Sequence, residues 1–373
     1  MANSAGRRRK IAARYRIEWP TIGLTALIYG GWLGLIWFHD ALPGWVLFPL
    51  GTWVIAWHSS LQHEFVHNHP TRWRQVNWAL GFPPLSLWLP YERYRRLHLV
   101  HHIDARLTDP LDDPESRYWT ASAWQGVSPT RRFLARCQAT LLGRLTVGPF
   151  LMIAAFLRDE ARRAVRNGSV RQIWMMHLLG VIVVLGWVHG VCGMSVTAYL
   201  LGFVLPGTSL LLVRSFAEHR ADSEVDRRTA VVENSWIFGV LFLFNNLHAA
   251  HHRRPALPWY TLPNYYRTAR ETLLEANGAL VYQGYGDVFR RFLVQPHDRI
   301  VHPLGRVSPR ALTGSARLQI GRLGADQPED VGTIDLGGQP SEVETLGASI
   351  LDGLHITAQE AGGAPATGNS SPA

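Results

Sequence analysis

Residues 21–38 (TIGLTALIYGGWLGLIWF) run for 18 positions without a charged side chain, and residues 41–61 follow after a short break with His58 as their only titratable group. A second pair covers residues 173–191 and 195–213, joined by Cys192-Gly193-Met194 and bounded by Arg171 and Arg214. At about 1.5 Å rise per residue, each run as a helix matches the roughly 30 Å hydrocarbon layer of a bilayer. A soluble core would scatter its apolar residues; here they stand in blocks. The chain is therefore expected to be an all-α integral membrane protein with four transmembrane helices arranged as two hairpins. The first run starts well after residue 1 and no small-residue cleavage pattern follows it closely, so it reads as an anchor rather than a removed signal peptide.

Charge sets the expected orientation. The formal net charge is +9, and Lys10 is the only lysine, so the excess is almost wholly arginine. Basic residues fall in Arg7-Arg8-Arg9-Lys10, between residues 72 and 171, and after Arg214, whereas the short links inside each hairpin have none. The positive-inside rule then puts both termini in the cytoplasm, in a multi-pass protein of a bacterial inner membrane, and a nucleic-acid partner is a poor reading. Cys137 and Cys192 fall on opposite sides in this arrangement and are not expected to pair. Two cysteines also cannot supply the four thiolates of an iron–sulfur cluster.

Three histidine clusters stand beside these runs: His63-Glu-Phe-Val-His67, His98-Leu-Val-His101-His102 and His248-Ala-Ala-His251-His252. With 17 histidines in 373 residues, the pattern His-x-x-His-His is expected roughly 0.04 times by chance; it occurs twice. Residues three and four apart share a helix face, so each cluster aims its imidazoles one way. Orientation places all three on a cytoplasmic helical cap. Eight imidazoles exceed the needs of one zinc ion and suit two metal ions. Imidazole binds iron, copper, nickel and zinc alike, so the side chains alone do not choose the element. His58 and His69 lie near the first cluster but are not counted as ligands.

The remaining chain divides by composition. Residues 1–20 form a basic cytoplasmic N-terminus, residues 21–303 the membrane domain, and residues 304–373, rich in Gly, Ala, Ser, Pro and acids, a tail expected to be disordered. Residues 76–90 and 235–247 are apolar but short or proline-broken, which suggests membrane-surface or re-entrant elements bordering a lipid entrance. Residues 141–157, interrupted by Arg144 and Pro149, are expected as an interfacial helix. Were they to cross, the third cluster would fall on the opposite face from the first two. The acidic run Asp109-Pro-Leu-Asp112-Asp113-Pro-Glu115 could help a capping loop or a partner contact, but reads by default as a plain polar turn. The aromatic residues of Pro258-Trp259-Tyr260, after the third cluster, fit an interfacial position or ordinary packing equally.

The order of the three clusters around two hydrophobic hairpins resembles the membrane fatty acid desaturase superfamily, over roughly residues 22–267. That resemblance implies two nonhaem iron ions, O2 as co-substrate, and hydrogen removal from an unactivated C–H bond of an acyl chain carried on a lipid or a thioester. Carried over by motif, the iron ligands, and hence the catalytic centre, would be His63, His67, His98, His101, His102, His248, His251 and His252. His219, just after the last span, would be the ninth. Some members have an asparagine four residues before that histidine; this chain has Ser215, and Asn245 is a candidate substitute acting through water. Glu64, Asp104 and Glu218 are candidates to orient imidazoles, or are simply solvated. With neither a fused haem-binding domain nor a ferredoxin segment in the sequence, electrons are expected from a separate donor such as ferredoxin with its reductase, drawn to the arginine-rich face.

The same cage can insert oxygen. Carotenoid ketolases and hydroxylases and alkane or lipid hydroxylases are also similar at this level, so hydroxylation and ketolation stay open beside desaturation. A membrane metal transporter or sensor is the non-enzymatic alternative. It predicts ligands inside the spans, where this chain has almost no acidic residues.

Overall fold

The computed structural model describes residues 17–304, except for the side chain of Asp104. The basic segment up to residue 16 and the tail beyond residue 304 lie outside the described residues, as do the expectations that fell on them. The described chain is mostly helical, with one two-stranded parallel sheet, Val231–Val232 (β1) beside Val281–Tyr282 (β2).

Long helices form over all four apolar runs: α1 (Trp19–Trp37), α2 (Gly44–Val66), α6 (Gly168–Val191) and α7 (Val196–Glu218). Between them lie α3 (Arg74–Gly81), α4 (Tyr91–His101) and α5 (Gly148–Arg166). Among the described residues, only α1, α6 and α7 are both long and apolar enough to cross a bilayer. Helix α2 has the length, but its last third carries His58, Ser60, Gln62, His63 and Glu64, all buried. A single helix is thus apolar at its start and presents the first histidine cluster at its end, which is why it falls short of a span by composition. The outward faces of α1 and α6 are bare and apolar, with Leu27, Leu33, Ile182 and Val183 exposed, as lipid contact would require.

Small residues bring α2 and α7 together. A Cβ on Gly51 would lie 2.4 Å from the Phe203 ring, and one on Gly207 would lie 2.7 Å from Ile55. Without side chains at these positions the backbones approach closely enough for Thr52 Oγ1 to donate to the Gly202 carbonyl at 3.2 Å. Trp32 Nε1 donates to Tyr199 Oη at 3.0 Å, tying α1 to the start of α7, and Tyr199 Oη donates on to the Leu85 carbonyl at 2.6 Å. The hairpins thereby become one bundle, with the polar ends of α2 and α7 side by side.

Residues 141–157 are not one helix. They divide into Leu141–Thr146 and the start of α5, with the joint at Val147. Gly143 there faces the Cys137 carbonyl at a distance that admits no Cβ. Residues 76–90 and 235–247 likewise contain only the short helices α3 and Trp236–Leu241, followed by turns. In the second turn Leu243 and Phe244 have positive φ (51° and 56°), uncommon for residues with a Cβ. The turn delivers Asn245 and then helix α8 (His248–Arg253) to the polar end of α2.

Candidate metal centre

Each element contributes its histidines for a local reason. His63 lies in the last turn of α2 and His67 caps it; His98 and His101 end α4 and His102 caps that helix. His219 is the extended residue that stops α7, held by an isolated bridge to Thr229 and by Nδ1, 3.2 Å from the Arg228 carbonyl. His248, His251 and His252 occupy the short helix α8.

These nine side chains converge as two groups, His63, His67, His98, His102 and His251 in one and His101, His219, His248 and His252 in the other, with the candidate ligand atoms of each group within 4.8 Å of one another. Clusters two and three are divided the same way. Each gives its i and i+4 histidines to one group and its i+3 histidine to the other. On a helix the i+3 and i+4 positions lie to either side of residue i, about 100° apart, so two crossed helices can each serve both groups. The expectation that a cluster aims all its rings one way holds only for His63 and His67.

The spacing of the nitrogens suits a metal. In the first group Nε2 of His98 lies 3.2 Å from that of His67 and 3.0 Å from that of His102, and His251 Nε2 is 3.1 Å from His102 Nε2. In the second, Nε2 contacts run His101–His219 at 3.0 Å, His219–His248 at 2.9 Å and His248–His252 at 3.0 Å. Ligands about 2.0–2.1 Å from one ion stand about 2.9 Å apart at right angles and about 3.3 Å apart at tetrahedral angles. Hydrogen bonding alone does not account for the contacts. The Arg228 carbonyl can only accept, so His219 carries its proton on Nδ1, and neutral His219 turns an Nε2 lone pair inward. A proton can bridge one such contact, but not three in a row. A cation shared by the lone pairs satisfies them all.

The outer nitrogens are held by partners of the kind that orient metal-binding imidazoles. His98 Nδ1 lies 2.9 Å from Glu115 Oε1, and His101 Nδ1 lies 3.0 Å from Asp113 Oδ1. His248 Nδ1 lies 3.1 Å from Asn245 Oδ1 and 3.4 Å from Glu218 Oε1. Asp113 and Glu115 belong to the acidic run read from sequence as a plain polar turn. That reading is corrected: Asp113 is buried, and its second oxygen accepts the Thr108 N–H at 2.7 Å, folding the loop back onto α4. Of the acids singled out earlier, Glu218 is buried beside His248, and Arg214 Nε stands 2.7 Å from its carboxylate. Glu64 approaches His63 only to 3.8 Å and mainly accepts the Trp259 N–H at 3.0 Å, so the aromatic segment after the third cluster is fastened to α2. Asn245 touches both groups directly, with Nδ2 3.3 Å from His63 Nε2, while Ser215 faces a neighbouring cavity. His58 and His69 are engaged elsewhere, with Tyr29 and Glu18.

Electrostatics favour neutral, ligand-ready rings. Burial, and after it the neighbouring histidines, hold His67, His102, His248 and His252 well below the usual histidine range. Burial lowers His98, His219 and His251 as well. His101 is the exception. Burial alone would lower it, but the Glu115 and Asp113 carboxylates raise it to about 9. The most anionic surroundings therefore meet the second group, where they would offset a cation's charge.

A cavity of about 430 Å³ lies beside the centre, in the size range of small-molecule sites. Trp88, Leu97, Leu151, Met152, Phe156 and Leu212 give it an apolar wall. Tyr94 and Glu115 line the side toward the histidines, and none of the nine histidines lines it. The Tyr94 ring is 5.5 Å from that of His98, so one layer of side chains separates cavity from centre.

A helical bundle with three helices long and apolar enough to cross a bilayer among the described residues, and two adjacent histidine groups able to hold metal, fits a membrane-associated protein. Residues 40–284 match the family described as Fatty acid desaturase, and the chain belongs to that family. Membership implies an oxidoreductase with a lipid or acyl substrate and a membrane association. Comparison with curated proteins and with solved structures gave no match.

Proposed function

We propose that the chain is an O2-dependent di-iron enzyme that introduces a double bond into a fatty acyl chain, with His63, His67, His98, His102 and His251 holding one iron and His101, His219, His248 and His252 the other. The observation that carries this reading is the pair of histidine groups beside an apolar cavity. Bound iron would supply the O2 activation and the electron transfers needed to break an unactivated C–H bond. The chain's own residues do the rest. Asp113 and Glu115 hold the imidazole tautomers that turn Nε2 inward, Asn245 links the two groups, and the cavity holds the alkyl chain away from water. Tyr94 and Glu115 form the partition between chain and metals, so turnover requires that partition to shift.

The proposed topology keeps four spans, with α2 crossing despite its polar end, and puts both termini and the histidines in the cytoplasm of a bacterial inner membrane. Residues 21–303 form the catalytic domain between a basic N-terminal segment and a C-terminal tail. A separate donor such as ferredoxin supplies electrons. Hydroxylation or ketolation by the same cage is the second reading, because the position of the chain relative to the metals decides whether a second hydrogen leaves or oxygen is added. The test is metal analysis of protein purified from iron-supplemented cells. Two iron atoms per chain are expected; zinc at full occupancy with no iron would overturn the proposal.

A further inference from the structure

The cavity wall changes character along α7. Trp88 Nε1 donates to Thr208 Oγ1 at 3.3 Å, and the Trp88 and Phe156 rings meet at 5.5 Å, so the wall is apolar at the level of Thr208. Arg117 donates to the Phe216 carbonyl at 3.2 Å, eight residues on and therefore about 12 Å further along the helix. Arg117 lines the cavity at that level, and Arg144 lines it from the neighbouring short helix, where the Leu145 carbonyl accepts from Ser209 Oγ at 2.9 Å.

Neither guanidinium has a carboxylate partner within 4.0 Å among the described residues. Arg117 donates to the carbonyls of Phe216 and His219 and approaches His297 Nδ1 at 2.7 Å, all neutral acceptors. His297 is held well below the usual histidine range, by burial first and then by Arg117 and other arginines, so it adds no charge of its own. Arg144 reaches only the Gln138 side chain, at 3.3 Å, and its buried Nε has no partner. The acids on the same wall are engaged: Glu115 with His98, and Asp298 with the Tyr118 hydroxyl and the Ala221 N–H. Both arginines are half-buried, and Arg117 rests over the Tyr118 and Phe216 rings at 5.5 Å. Two neighbouring cations with only neutral partners carry a desolvation and repulsion cost that an anion between them would offset. Burial, and then Arg117, push Arg144 down to about 9.

From this geometry we infer that Arg117 and Arg144 form a head-group site for an oxyanion, a carboxylate or a phosphate, attached to the alkyl chain that fills the apolar part of the cavity. The inference rests on the acyl reading only for the identity of the chain. It deepens that reading by requiring a charged head, which a carotenoid or an alkane lacks. The head lies between Arg117 and Arg144, and the chain runs along the wall formed by Trp88 and Phe156.

The test is equilibrium binding to the full-length, iron-loaded protein in detergent, without O2 or reductant, using palmitate, palmitoyl lysophosphatidate and uncharged methyl palmitate. At least one anionic probe should bind ten-fold or more tightly than methyl palmitate. Arg144→Gln and Arg117→Gln should each erase most of that preference while methyl palmitate still binds, which controls for folding, and Arg144→Lys should keep much of it. A preference for palmitate identifies a fatty acid carboxylate, and one for lysophosphatidate a phospholipid head. Equal binding of all three probes by the wild type, or an undiminished preference in Arg144→Gln, overturns the site. Since no turnover is involved, a failure of the catalytic proposal leaves this result standing, and the reverse also holds.

Discussion

Asp113 Oδ1 lies 3.0 Å from Nδ1 of His101, and both side chains are buried. The carboxylate fixes the proton on Nδ1, turns Nε2 toward His219, and provides the negative charge that a buried cation needs. A carboxylate placed in this way typically changes metal affinity by about 10–100-fold. Asp113→Asn keeps an oxygen for the Thr108 N–H but loses the charge. Its iron should be stripped by a competing chelator at correspondingly lower concentration, with membrane insertion unchanged. Wild-type iron retention by this variant would show that Asp113 is only a loop anchor.

His101 and His102 are sequence neighbours assigned to different groups. His102→Ala should therefore weaken only the first iron and His101→Ala only the second, each variant purifying with about half the wild-type iron, and the double variant with almost none. Equal loss of both metals from either single variant would mean that the groups form one cooperative site.

Acid should destabilise the metal-free protein. Seven rings, His67, His98, His102, His219, His248, His251 and His252, have folded pKa values below the ordinary 6.5. As pH falls through 6.5 the unfolded chain takes up protons that these folded rings refuse, so stability drops. His101 works in the opposite sense: its contribution is full below 6.5 and is lost as pH rises through about 9. Seven groups outweigh one. Thermal melts of chelated protein should fall steadily from pH 7 to pH 5, and iron, bound by folded rings that stay neutral, should restore much of that loss. A flat melting profile would contradict the neutral, buried state of these rings.

Gly207 should tolerate no side chain. A Cβ there meets Ile55 Cβ at 2.7 Å and the Thr52 carbonyl at 3.1 Å, neither of them the end of a flexible side chain. Gly207→Val should cost about 1–3 kcal/mol by overpacking and should loosen the iron as well, because α2 and α7 carry His63 and end at His219. Gly23, with open space around its Cβ position, is the control: Gly23→Ala should leave both stability and iron content near wild type.

Much of this arrangement was legible in the sequence, for identifiable reasons. The apolar runs mark the long helices because length and lack of charge are local properties. The histidine clusters mark the centre because their i, i+3, i+4 spacing is local too. The division of His98 and His102 from His101 depends on how α4 crosses α8, which no spacing records. Asp113 and Glu115 escaped because they lie in a proline-containing loop without periodicity, 12 and 17 residues from the rings they hold. The shortfall of α2 as a span has a related origin, since one helix joins an apolar first half to a last third that carries buried polar residues and the first histidine cluster. Arg117 and Arg144 could be counted as basic residues, but only the tertiary fold puts them in one cavity whose acids are engaged by other partners.

The central claim is that the histidine centre oxidises an acyl chain. Its most direct test is mass spectrometry of total lipids, as fatty acid methyl esters and carotenoids, from cells expressing the wild type or His101→Ala. The account predicts acyl chains that have lost two hydrogens in wild-type cells alone. A wild-type-dependent gain of oxygen would contradict desaturation in favour of the hydroxylating or ketolating chemistry, and identical lipids from both strains in the presence of iron and a competent electron donor would contradict the enzyme altogether.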